Sequence, residues 1–95
     1  METEYITITE FCSSHNIDAD FISALADEGL ISVTIIESSR HISTDQLSAL
    51  EMYTRWRYQM GIGPEGIDVI HNLLERVKAM RAEIDQLRNR LSLYE

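Results

Sequence analysis

The chain of 95 residues holds one cysteine and one proline, and no lysine or arginine precedes Arg40. A lone cysteine forms no internal disulfide. The opening Met1-Glu2-Thr3-Glu4 lacks the basic and apolar regions of a signal peptide, so the expected compartment is a reducing cytoplasm. No stretch approaches the roughly 18 consecutive apolar residues of a membrane span, so no membrane association is expected. With 44% hydrophobic and 25% charged residues and almost no proline, the composition is that of a folded chain and not a disordered one. The length suits one domain with a single appendage and excludes a large multi-domain enzyme.

The shortage of bases is uneven. Residues 1–54 carry ten acids and one base, Arg40, whereas residues 55–95 carry six acids and seven bases, a balance of −9 against +1. Nucleic-acid binding draws its affinity from cations that neutralise phosphates, so direct nucleic-acid or anionic-lipid binding is not expected of the N-terminal half. A basic protein partner suits it better, although net acidity also serves plain solubility.

What is present reads as a series of short helices followed by a long one. Thr7-Ile8-Thr9-Glu10 has the spacing of a capping box and predicts a first helix from about Ile8 to Ser14; Tyr5-Ile6-Thr7-Ile8, before it, is too short to stand alone as a strand. After a turn at Ser13–Asn16, Asp18 caps a second helix, Ala19–Glu28, stopped by Gly29. Two short helices so joined form a helix-turn-helix. Ile17, Ile22, Leu25 and Leu30 make its core face and leave Asp20, Ser23, Ala24 and Asp27 on another.

Ser32–Glu37 is β-branched and partly alternating; with Ser38-Ser39 and Arg40-His41-Ile42 it predicts a small hairpin, or wing. Ser43 or Thr44 caps a third helix that ends at Gly61, and Pro64 suits the first turn of a fourth, running to about Tyr94. In that last segment Ile70, Leu73, Val77, Met80, Ile84, Leu87, Leu91 and Tyr94 recur at spacings of three and four, a coiled-coil seam of more than three heptads. Thirty helical residues extend about 45 Å, longer than a small domain covers, so Val77, Met80, Ile84, Leu87 and Leu91 are candidates for self-association, as in a homodimer. Flanking charges leave the geometry open. A parallel pair sets Glu83 against Arg88 but Arg76 against Arg81, and the antiparallel alternative also pairs like charges.

Three motifs have plainer readings. Gly61-Ile62-Gly63-Pro64-Glu65-Gly66 matches G-x-G-x-x-G, yet it follows a predicted helix and no strand, so a helix stop and a new start explain it better than dinucleotide binding. Cys12 and His15 lie one helical turn apart, but His41 and His71 bring no further ligand spacing, and no metal site or other cofactor is expected. Serine, histidine and carboxylates occur without a recognisable catalytic arrangement, so no catalytic residues and no enzymatic activity are expected. Trp56 with Tyr53 or Tyr58 could anchor a partner or pack beneath the wing.

The order of these elements resembles a known family. Thr7-Ile8-Thr9-Glu10-Phe11-Cys12, Asn16-Ile17-Asp18, Glu28-Gly29-Leu30, His41-Ile42-Ser43-Thr44-Asp45, Gly66-Ile67-Asp68-Val69-Ile70 and Leu87-Arg88-Asn89-Arg90-Leu91 are similar in order and spacing to the chaperone-modulator family CbpM, a branch of the MerR-like winged helices. The resemblance covers nearly the whole chain. It implies a mainly α protein, a winged helix-turn-helix at residues 4–60 with a coiled-coil-like helical extension at 61–95. It implies binding to the J-domain of a CbpA-type, DnaJ-like co-chaperone and inhibition by blocking its engagement of DnaK. Against DNA-binding MerR relatives, alignment on Gly29-Leu30 sets Asp20, Ser23 and Asp27 where that branch favours basic or DNA-facing side chains. Asp20, Asp27 and Glu28 are therefore the acidic contact candidates, with Ser23 and Ala24 as close-approach positions. The other reading is a MerR-type DNA-binding transcription regulator, which should show Arg or Lys on the second helix and the wing.

Overall fold

Chain-local caps set most of the helix boundaries. A computed structural model describes residues 3–94. Thr7, in extended conformation, accepts a hydrogen bond at 3.0 Å from the backbone N–H of Glu10 and starts α1 (Ile8–His15). Among the described residues the Glu10 carboxylate makes no return bond, so half of the expected capping box forms. Asn16, with φ 54, ends α1 in the left-handed conformation that asparagine tolerates. Asp18 precedes α2 (Ala19–Asp27) in an N-cap conformation, without a side-chain cap bond. Gly29 then turns the chain away at φ 77, a backbone state that costs glycine little.

The wing is a three-stranded antiparallel sheet. The segment too short to stand alone, β1 (Tyr5–Thr7), pairs with β3 (Ser39–Ser43), which also pairs with β2 (Thr34–Ile36). Ile6 lies opposite Ile42, and Ile35 opposite Arg40. A three-residue strand is stable here because β3 supplies the ladder that the local sequence lacks. The turn falls one residue earlier than Ser38-Ser39. It is Glu37-Ser38, with φ 50 and 66, consistent with a type I′ connection normally made by Asn-Gly. Replacing this pair by Glu37→Asn with Ser38→Gly should therefore stabilise the protein by about 1 kcal/mol, read as a thermal midpoint higher by several degrees; an unchanged midpoint would show that the turn is unstrained.

A 3₁₀ turn at Thr44–Gln46 leads into α3 (Leu47–Met60). Gly61 closes α3 at φ 70, accepting no side chain there, and Pro64 opens α4 (Pro64–Tyr94). The third glycine of the G-x-G-x-x-G run, Gly66, lies inside α4, where a Cβ would stand 2.9 Å from a methyl carbon of Ile62. The motif is a helix stop, a helix start and a close contact.

The core gathers Ile8 and Phe11 from α1, Phe21, Ile22 and Leu25 from α2, Ile31, Ile42 from β3, Leu50 and Tyr53 from α3, and Ile67 from α4. Of the expected core face, Ile22 and Leu25 are fully enclosed, while Ile17 and Leu30 pack half-buried at its edge. Trp56 also packs half-buried against the core, its ring centroid 5.9 Å from that of Tyr53. Past residue 60 the core still draws on Ile62 and Ile67, and the Tyr53 hydroxyl lies 3.2 Å from His71 Nδ1, so the first two turns of α4 are docked on α2 and α3. From Asn72 onward every described residue of α4 is exposed, and the molecule extends 59 Å in its longest direction.

Candidate functional site

Phe21, Ile22 and Leu25 bury one side of α2, and this fixes what the opposite side presents. Asp20, Ser23, Ala24 and Asp27 follow the i, i+3, i+4, i+7 spacing that stacks side chains along one helical face. Asp20 and Asp27 are exposed, as is Glu28 just beyond the helix; Ser23 and Ala24 are half-buried between them. Among the described residues, no ion pair engages Asp20, Asp27 or Glu28. Asp20 sits in the first turn, where the positive end of the helix dipole favours it, whereas Asp27 and Glu28 stand at the negative end. Two unpaired carboxylates are thus held where helix stability disfavours them.

Ser23 is not free. Arg40, from the middle of the wing, donates from Nη1 to Ser23 Oγ at 3.1 Å, so the lone base of the N-terminal half is drawn onto the centre of the α2 face. Sequence reasoning placed both residues but not their contact; the isolation of Arg40 in an acidic segment was the signal available. Gln46, which had no sequence signal, clasps the backbone of Ser32: its Nε2 donates to the Ser32 carbonyl at 3.0 Å, and its Oε1 accepts from the Ser32 N–H at 2.7 Å. This pair of bonds fixes the segment leading from α2 into the wing.

Beside Asp20 and Ala24 a shallow groove of about 200 Å³ opens toward Arg57, Tyr58 and Pro64. Tyr58 closes one end. Its ring meets Phe21 edge-on at 5.8 Å, and its hydroxyl accepts from the Asp18 N–H at 3.3 Å. Of the aromatic candidates, Tyr53 is core and Tyr58 is half exposed at this groove, so the two belong to different surfaces.

Cys12 and His15 do not form a reactive pair. Burial, reinforced by the nearby negative charge of Asp18, raises the Cys12 thiol pKa, and Arg40 only partly offsets this, so the sulfur stays protonated at neutral pH. His15 lies flat on Phe11, with ring centroids 4.2 Å apart, and its Nδ1 donates to the Phe11 carbonyl at 3.2 Å. Among the described residues, no group of three His, Cys, Asp or Glu side chains could hold a metal ion. Nor is any described helix long and apolar enough to cross a membrane.

The order of elements, two short helices, a wing, a third helix and a long fourth one, is that of a MerR-like winged helix. The family model described as "MerR HTH family regulatory protein" matches residues 6–89. The chain belongs to this MerR family. No match was found among the curated proteins or among the solved structures. The matched span runs from β1 through most of α4, so the long helix belongs to the family pattern together with the winged head. In this MerR-family chain the second helix of the helix-turn-helix carries acids and no Lys or Arg.

Proposed function

We propose that the protein is a non-enzymatic chaperone modulator of the CbpM type, which binds the J-domain of a CbpA- or DnaJ-like co-chaperone and inhibits it by blocking engagement of DnaK. The observation that carries this reading is the charge of α2. The outward face of that helix offers Asp20, Asp27 and Glu28 without an ion-pair partner among the described residues, and the single wing cation is tied to Ser23. Such a face repels phosphate and attracts a basic helix, and charge complementarity of this kind sets association rate and register more than bare affinity. Ala24, half-buried between the acids, lets a partner helix approach the backbone. The modulator acts as a homodimer through the exposed seam of α4, in which Val77, Met80, Ile84, Leu87 and Leu91 lie uncovered.

The test is association kinetics against an isolated J-domain at low and moderate salt. Reversing charge in Asp20→Lys with Asp27→Lys leaves the buried side of α2 untouched and removes an unfavourable helix-end charge, so the fold should persist. The association rate should fall roughly tenfold at low salt, and its salt dependence should flatten. An unchanged rate with an unchanged salt slope would remove this face from the interface. Tight, salt-sensitive binding of the unmodified protein to duplex DNA, with none to the J-domain, would favour a transcription regulator instead.

A further inference from the structure

Beyond His71 the domain no longer covers α4, and Leu73, Val77, Met80, Ile84, Leu87 and Leu91 form one exposed apolar stripe, Met80 being 53% accessible. We infer that this stripe is covered by α4 of a second copy running antiparallel, in a register that sets Arg76 beside Glu83 of the partner subunit. The inference rests on the self-association proposed above and adds its direction and alignment.

Charge along the edges of the stripe decides between the registers. With Ile70, Val77, Ile84 and Leu91 as one row of the seam and Leu73, Met80, Leu87 and Tyr94 as the other, the flanking residues are Arg76, Glu83 and Arg90 on one edge. Leu74, Arg81 and Arg88 form the other edge. A parallel pair sets Arg76 against Arg81 of the partner subunit on both sides of the dimer. An antiparallel pair with the stripes in full overlap, Val77 facing Leu87 of the partner subunit, is worse. Arg76 then faces Arg90 of the partner subunit, and Arg81 and Glu83 each face their own counterparts.

Sliding that antiparallel pair by one heptad removes every like-charge contact along the edges. Val77 then faces Met80 of the partner subunit, Leu73 faces Ile84 of the partner subunit, and Ile70 faces Leu87 of the partner subunit. Each layer occurs twice, as many as full overlap gives between Leu73 and Leu91. Arg76 meets Glu83 of the partner subunit twice, and Leu74 lies along the stem of Arg81 of the partner subunit. The basic end of α4, Arg88 and Arg90, comes alongside the turn that bears Asp68 of the partner subunit. A slide in the opposite sense pairs Glu83 with Arg90 of the partner subunit but sets Arg81 against Arg88 of the partner subunit and leaves Leu73 bare. With the apolar layers equal, the flanking charges select the first slide.

The full chain is examined by sedimentation equilibrium as wild type, Arg76→Glu, Glu83→Arg and the double variant. All altered side chains are exposed on α4, so each variant should keep its helicity. Each single reversal should raise the dimer dissociation constant roughly tenfold, and the double variant, Arg76→Glu with Glu83→Arg, should restore it. A tighter dimer for Arg76→Glu overturns the register, because that substitution relieves repulsion in both the parallel and the fully overlapped arrangement. No change in the single variants overturns it as well. A wild-type monomer at all accessible concentrations instead overturns the self-association on which the register rests.

Discussion

Ile84→Asp is expected to turn a self-associating protein into a monomer. Ile84 lies on the exposed apolar stripe of α4, well past Ile67, the last fully buried residue of the chain, so the winged head does not depend on it. In a helix pair the same side chain faces the partner's apolar row, whichever way the partner runs. An aspartate there either loses its hydration without gaining a counterion or stays neutral at a cost in proton affinity, and both penalties fall on the dimer alone. Isolated helices without tertiary cover are marginal in water, so much of the order of the distal α4 is gained on pairing. The expected loss is about 3–5 kcal/mol of association free energy. Light scattering at matched concentrations checks this, and equal masses for variant and wild type would sink the proposal that α4 mediates assembly.

Ile67→Ala should cost about as much, but in folding rather than assembly. Ile67 is wholly enclosed although it belongs to the long helix, and α4 packs there against both α2 and α3. Truncating a buried isoleucine loses its transfer free energy and leaves a cavity, typically about 2–5 kcal/mol together. For a domain of this size that is a large share of total stability. Urea unfolding should show a midpoint far below wild type. The control is Leu91→Ala, an exposed position on the same helix, measured at concentrations where the dimer has dissociated; its midpoint should barely move. Equal midpoints for Ile67→Ala and wild type would mean that the head is complete without α4.

The two substitutions probe opposite ends of one helix, and they separate its two tasks. The first turns complete the core that holds α2 in place, with Gly66 allowing Ile62 to come close and Tyr53 reaching His71. Burial, with a further contribution from the Glu75 carboxylate, raises the Tyr53 hydroxyl pKa, so it remains a neutral hydrogen-bonding group at that junction through the neutral range. The later turns carry an apolar stripe that nothing in the monomer covers. Consequently the acidic surface of α2 and the seam are linked through a single continuous helix.

Features governed by neighbours in the chain could be read from the sequence: the Thr7 cap, the stop at Gly61, the start at Pro64, the seam from Ile70 to Tyr94, and the acidic face of Asp20 and Asp27. Each depends on interactions within a turn or on periodic spacing, so a few adjacent residues suffice to specify it. The tertiary structure decided the rest. Tyr5–Thr7 becomes a strand because β3, distant in sequence, supplies its ladder, and Phe21 and Ile67 are buried because separate helices converge on them. Arg40 is removed from the pool of free cations by Ser23, and the loop after α2 is held by Gln46. These contacts join residues 14 or more positions apart, whose meeting depends on how the elements pack, and no local propensity encodes that packing.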